Sequence, residues 1–294
     1  MDIPDIQAIN RATEAKIAAR QPGDPDFAPE AVPYYGYVRL DRFECPPFVM
    51  FTNNDSPVVT HYLCSGTFEP QSLRLWCRLA RAASGIVDIG ANVGIYSLCA
   101  AKMRPDLPVH AFEPNPYAFA RLRLNKYINE LPNIVEHAEA IGMNDGIAGF
   151  GWHVKPGGNI SSGAGFGGYG MEQTEKAAVR TVVLDNSGIA ETLGERALIK
   201  IDVEGAESIV FNAMRNVIAR KPDIILETFD RKNCDEINRS LLPLGYRVYL
   251  INEHTSQLEP RDALQPASVQ ASHNNFNQFI TTRPAADIDA LMKW

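Results

Sequence analysis

The pattern of apolar and polar positions divides the chain in two. Up to about residue 56 the signals are short and scattered. Residues 1–20 suit a short helix, and Pro22, Pro25, Pro29 and Pro33 then break the chain into an extended linker. Alternation around Tyr35, Tyr37 and Val38, followed by Phe48 to Phe51, predicts short strands. We therefore read residues 1–56 as an N-terminal extension and residues 57–294 as the main domain.

From Ser84 onward a regular alternation sets in. Apolar runs over residues 85–89, 109–112, 134–141, 197–201 and 223–226 each read as a buried strand, and most end in a carboxylate. Helical spacing follows several of them. One stretch covers residues 95–103. Another carries Phe119, Leu122, Tyr127, Ile128 and Leu131 behind Asn115, a good N-cap, and Pro116, suited to the first helical turn. A third carries Ala206, Ile209, Val210, Ala213, Val217 and Ile218. Strands alternating with helices predict an α/β domain, a mainly parallel, doubly wound Rossmann-like sheet. Residues 246–251 and 276–282, with no long helix between them, predict a closing antiparallel pair, and residues 285–294 a terminal helix.

The acids at the strand ends carry the candidate chemistry. Val87–Gly94 reads V-D-I-G-A-N-V-G, a tight turn opening a helix, in which Gly90 allows a ligand to approach the backbone. A dinucleotide fingerprint G-x-G-x-x-G counted from Gly90 needs glycine where Asn92 and Ile95 stand. That weakens the alternative of a nicotinamide-dependent oxidoreductase. Asp88 beside the turn suits a positively charged sulfonium nucleoside better than a pyrophosphate. Glu113, ending the second strand, can accept hydrogen bonds from the two hydroxyls of a ribose, or serve the dipole of the helix behind it. Asp202, Glu204 and Glu227 gather at the carboxyl edge of the sheet, where ligands of open α/β folds bind. Such a cluster repels itself unless a cation or a proton donor is present. A hard divalent metal on these three acids is a minority reading, and no metal is assigned. Glu207 falls in a first helical turn, where an acid complements the dipole.

Four strings together resemble the FkbM-type methyltransferases: V-D-I-G-A-N-V-G, F-E-P-N-P, L-I-K-I-D-V-E-G-A-E and I-I-L-E-T-F, with G-T-F-E-P (Gly66–Pro70) as an entry segment. The resemblance covers about residues 57–283. It implies a class I fold with seven strands, one of them antiparallel, and S-adenosylmethionine as cofactor. It also implies O-methylation of a glycan or natural-product hydroxyl. On matching positions, Asp88, Gly90, Asn92, Gly94, Glu113 and Asn115 hold the cofactor, while Asp202 and Glu204 face the methyl group and the acceptor. Asp202 is the first choice of general base and Glu204 the second, with His153 a distant third. Glu227 and Asn159 are assigned to the acceptor. Asn159 sits with Ser161 and Tyr169 in the glycine-rich stretch of residues 157–170, read either as a plain loop between strands or as a lid over the acceptor.

Composition narrows the partners. The net charge is −7, and the densest basic group, Arg121, Arg123 and Lys126, lies on a helix face, so nucleic acid is not expected as a substrate. Five cysteines, Cys45, Cys64, Cys77, Cys99 and Cys234, are widely spaced with no C-x-x-C pair. They read as reduced thiols of a cytoplasmic protein, without disulfides or structural zinc. Neither a signal peptide nor a membrane span is apparent, and the oligomeric state cannot be read.

Overall fold

A computed structural model describes residues 5–19, 33–152, 175–267 and 276–292. The elements, in chain order, begin with helix α1 (Ile6–Ala19), the hairpin β1 (Tyr35–Leu40) and β2 (Phe48–Asn53), and helices α2 (Pro57–Ser65) and α3 (Pro70–Ala80). The regular alternation follows as β3 (Gly85–Ile89), α4 (Ile95–Met103), β4 (Val109–Phe112), α5 (Pro116–Ile128) and β5 (Ile134–His137). After β6 (Glu139–Ile141), β7 (Gly146–Trp152), β8 (Glu175–Val182) and the single turn α6 (Ile189–Thr192), it resumes with β9 (Ala197–Ile201). Then come α7 (Glu207–Asn212), α8 (Arg215–Ala219), β10 (Asp223–Glu227), α9 (Arg231–Leu241), β11 (Arg247–Asn252), β12 (Gln257–Arg261), β13 (Asn277–Thr281) and α10 (Ala285–Met292).

Eight strands form the main sheet in the order β12-β11-β13-β10-β9-β3-β4-β5. Strands β5, β4, β3, β9 and β10 run parallel, and β13 enters antiparallel between β10 and β11. The order reverses between β3 and β9, and the carboxyl ends there open a crevice. This is the doubly wound α/β fold expected from the alternation. It differs in one respect: seven strands with one antiparallel were expected, and an eighth, β12, adds a second antiparallel edge through its hairpin with β11. The continuous apolar run read over residues 134–141 also splits. Its first half is β5, and its second half, β6, leaves the main sheet to pair with β8 in a three-stranded sheet with β7.

Both faces of the central strands are buried, which is why β3 and β9 read as apolar runs broken by one charged residue each, Asp88 and Lys200. Alternate residues serve opposite layers. Ile86, Leu198 and Ile225 pack with Trp76, Leu98 and Cys99 on one side. Val87, Ile199 and Ile224 pack with Val210, Val217 and Ile237 on the other. The stripe beyond β9 is broken into α7 and α8 by Ala213 and Met214, both of which remain buried.

The β1–β2 hairpin is fastened to α5. Asn129 Oδ1 accepts from the Val49 amide at 2.8 Å, Asn125 Oδ1 from the Phe51 amide at 2.9 Å, and Arg121 pairs with Asp55. All three basic side chains on this helix are therefore ion-paired, since Arg123 and Lys126 both pair with Glu136. Among the described residues no helix is long and apolar enough to cross a membrane.

Candidate functional site

The glycine turn after β3 is built by contact with the turn after β9. Gly90 has φ +83°, and a Cβ there would lie 1.7 Å from the Asp202 carbonyl oxygen. The Asp202 amide donates to the Ile89 carbonyl at 2.9 Å, so the two turns are locked together. Glycine at 90 is thus required by the protein's own backbone, a nearer obstacle than the ligand invoked from sequence. Gly94 caps α4 at φ +96°, and a Cβ on it would meet Leu122 Cδ1 at 2.4 Å. It faces α5, and it is not among the residues brought to the crevice wall.

On one side of Gly90 the crevice is lined by Ile89, Asn92, Glu113, Asn115, Ile141 and Phe150, among others. Glu113 is 6% exposed, and each of its oxygens accepts one backbone N–H: Oε2 from Asn92 at 2.7 Å and Oε1 from Asn115 at 2.8 Å. It thereby ties the glycine turn to the start of α5 and keeps a second lone pair on each oxygen for a ligand hydroxyl. Burial pushes its carboxyl up to about 7, against the pull of those two amides. Asn115 caps α5 through Oδ1, which accepts from the Tyr117 amide at 3.0 Å, while its buried Nδ2 has no partner. A buried donor without a protein partner beside a cleft suits an acceptor atom of a ligand.

On the other side the crevice widens between Phe68, Phe229, Phe276 and His61, and its polar lining is acidic. Glu69, Asp88, Asp202, Glu204 and Glu227 all reach it, against one ammonium, Lys200. Gly90, Asn92, Asp202 and Glu204 line both halves, so the two are continuous. Asp88 is 1% exposed and accepts from Ser97 Oγ at 2.6 Å, and burial raises it to about 6. Burial, then repulsion from Asp202, raises Glu204 to about 8 and pushes Glu227 well above its ordinary range. Glu69 is also raised by burial, although Lys200 opposes the shift; it accepts from Asn277 Nδ2 at 2.9 Å and from the Tyr96 hydroxyl.

Lys200 is the residue the sequence did not single out. It stands opposite Asp88 in the β3–β9 register and is buried to 1% exposure. Its Nζ lies 3.1 Å from Asp202 Oδ2 and 5.0 Å from the centre of the Tyr96 ring. Burial pulls its pKa down, but Asp202, Glu227 and Glu69 together more than reverse this, leaving it above its usual value. Glu69 and Tyr96 were likewise unassigned; Glu69 lies in the quoted entry segment, which was the available signal.

Three non-glycine residues on this wall, Glu69 (φ 39°), Asn92 (φ 49°) and Glu204 (φ 51°), hold left-handed backbones. Each costs of order 1–3 kcal/mol, and such conformations cluster at functional sites. The neighbouring acids have structural work instead. Glu207 is buried and accepts from the Gly205 amide at 2.7 Å and Asn233 Nδ2 at 2.7 Å, and Asp230 caps α9. Asn159, Ser161, Tyr169 and His153 lie outside the described residues.

A pyrophosphate would meet five acidic side chains and a single ammonium here, a poor match for a dinucleotide. The donor set fits a ligand with a nucleoside at the Glu113 end and positive charge at the acidic end. Among the described residues, the potential metal ligands that converge within 4.8 Å are Cys45, Cys77 and Cys99, and not Asp202, Glu204 and Glu227.

Residues 88–248, more than half of the chain, match the methyltransferase FkbM domain. The chain belongs to the FkbM methyltransferase family. Its curated relatives include Methyltransferase 1 of Beauveria bassiana, 26% identical over 145 residues that cover 45% of this chain and 58% of that protein. Another is the 31-O-demethyl-FK506 methyltransferase FkbM of Streptomyces tacrolimicus, 47% identical over 45 residues, 15% of this chain and 17% of that protein. The chain spans less than two thirds of the length of either relative. A solved S-adenosylmethionine-dependent methyltransferase from Agrobacterium tumefaciens aligns with a TM-score of 0.42 and 10% identity, over 88% of this chain and 72% of that one, a likeness too distant to bear on the reaction. The nicotinamide alternative is not favoured by the family match or by the acidic lining.

Proposed function

We propose that this chain is an S-adenosylmethionine-dependent O-methyltransferase acting on a hydroxyl of a glycan or a natural product. The observation that carries the reading is the continuous crevice at the switch point, with a ribose-competent carboxylate at one end and an acid-rich, aromatic-walled chamber at the other.

The cofactor residues fit on chemical grounds. Glu113 offers free lone pairs to two vicinal hydroxyls, and the unpaired Asn115 Nδ2 offers a donor close by. Asp88 and the acids beyond Gly90 supply negative charge to a cationic ligand. When bound, S-adenosylmethionine supplies an electrophilic methyl carbon, so the protein is left mainly to position an oxygen and accept its proton.

Asp202 is the proposed base and Glu204 its second. The Asp202 carbonyl is pinned against Gly90, and its carboxylate is oriented by Lys200. Glu204 holds its own proton up to about pH 8, which makes it the weaker candidate near neutrality. Glu227, at the end of β10, and the faces of Phe68, Phe229 and Phe276 border the space left for the acceptor. A carboxylate that takes hydroxyl donors, beside apolar ring faces, suits the alternating polar and C–H surfaces of a sugar or polyketide.

The test is methyl transfer from isotopically labelled S-adenosylmethionine to a panel of glycans, hydroxylated natural products and RNA, read by mass spectrometry. Label on a hydroxyl oxygen of the first two classes is the expected outcome. Label on RNA bases, or on none of the panel with intact cofactor binding, contradicts the acceptor assignment.

A further inference from the structure

Cysteines spaced without any local motif are brought together by the fold. Cys45 lies in the connection between β1 and β2, Cys77 on α3 and Cys99 on α4, and their sulfur atoms all lie within 4.8 Å of one another. None is in a disulfide. Cys77 and Cys99 are fully buried, on two helices packed against each other in the core, so their positions are fixed. Cys45 is half-buried and opens the group to the outside.

We propose that Cys45, Cys77 and Cys99 form a three-sulfur binding site for a soft monovalent cation, Cu(I), outside the catalytic crevice. Three features of the donor set select it. The spacing suits ligation, because sulfurs bound at about 2.3 Å around one ion stand roughly 4 Å apart. The donors are all sulfur, which favours soft ions over the hard cations that carboxylates take. They are three in number, and among the described residues no histidine or carboxylate joins them as a fourth. A structural zinc ion calls for four.

Burial holds the Cys99 thiol protonated in the free protein, and contact with Cys45, burial and the charge of Glu44 do the same for Cys77, so protons must leave when an ion is bound. Lys102, one turn beyond Cys99 on α4, places its positive charge where Cys45 feels it. Ligation exchanges each participating S–H proton for a metal–sulfur bond and releases that proton to solvent, with no change in the oxidation state of sulfur or metal. The ion would join the hairpin connection to α3 and α4, at whose starts Glu69 and Ile95 line the crevice. None of the three cysteines lines that crevice, so the site stands or falls independently of methyl transfer.

The experiment titrates the full, reduced chain with Cu(I), supplied as its acetonitrile complex under anaerobic conditions, against a chromophoric Cu(I) chelator. One equivalent retained, an X-ray absorption spectrum with three sulfur neighbours, proton release on binding and a rise in Tm are the expected results. Cys45→Ser, at the most exposed of the three positions, should weaken retention by roughly 100-fold or more, at least the loss seen for outer-sphere ligand partners. Its metal-free unfolding curve should remain that of the parent, which separates lost ligation from lost folding. Cys234→Ser should retain the ion. Failure to compete with the chelator, full retention by Cys45→Ser, or a preference for Zn(II) in a four-coordinate sphere would overturn the proposal.

Discussion

Replacing Lys200 with methionine removes the one ammonium among five carboxylates while keeping most of the side chain's volume. At 3.1 Å the Lys200–Asp202 pair has a Coulomb energy of about 5 kcal/mol at an effective dielectric of 20. Breaking a buried pair costs about 3–5 kcal/mol, because the surviving charge is left without compensation. Asp202 keeps 30% of its side chain in solvent, which argues for the lower end, about 3 kcal/mol. The loss should depend on pH. Asp88 and Glu204, both of which feel the charge of Lys200, have folded-state values of about 6 and 8, raised by burial. A raised carboxyl means the folded chain binds more protons than the unfolded one between the unfolded and folded values. Stability therefore falls as pH rises through that window. Lys200→Met should cost most near pH 8, where Asp88 is ionised and Glu204 is losing its proton, and distinctly less near pH 5, where both hold protons. Urea unfolding at the two pH values gives both numbers. An equal loss at both would show that Lys200 acts through packing alone, and a loss below about 0.5 kcal/mol at pH 8 would refute the electrostatic reasoning.

The other expectations concern single residues. Gly90→Ala must pay for a left-handed backbone, about 1–2 kcal/mol, and also push the Asp202 carbonyl away. Thermal unfolding should fall by roughly 5 °C or more, and an unchanged Tm would contradict the locked turns. Glu113→Ala leaves the buried amide of Asn115 and the partly buried amide of Asn92 without their acceptor, at up to about 1–3 kcal/mol each, and should weaken S-adenosylmethionine binding in calorimetry. Binding as tight as the parent's would remove Glu113 from the ribose role. Asp202→Asn should lower turnover on the order of 100-fold while leaving cofactor affinity within a few-fold. Turnover that survives it but is lost in Glu204→Gln would move the base to Glu204, and activity would then climb as pH rises through about 8.

The strands were legible because burial on both faces leaves an unmistakable apolar run, and the acids at their ends because a carboxylate closing such a run has few structural uses. Helix α3 was not recognised, although Pro70 opens it and Leu73, Trp76, Cys77 and Ala80 line its buried side. Its first residue, Pro70, closes the G-T-F-E-P string, so the motif masks the helical first turn. Strand β12 was missed because its residues are partly or wholly exposed, with no apolar run to mark them. The path of β6 was missed because sequence shows an apolar run but not which sheet it joins. Lys200 was hidden for a more instructive reason. Between Ile199 and Ile201 it is a lone charge in a run read as a buried strand, and only the register against Asp88, with Glu69 and Glu227 arriving from distant segments, shows what compensates it. The convergence of Cys45, Cys77 and Cys99 follows from packing of α3 on α4 and leaves no local trace in the sequence.

The claim under all of this is that the switch-point crevice is shaped for a nucleoside carrying positive charge. Calorimetric titration of the unmodified chain with S-adenosylmethionine and, separately, with NAD addresses it directly. One saturable site for S-adenosylmethionine, lost in Glu113→Ala, with no heat from NAD, is the result expected. Saturable binding of NAD, with S-adenosylmethionine giving none, would contradict it.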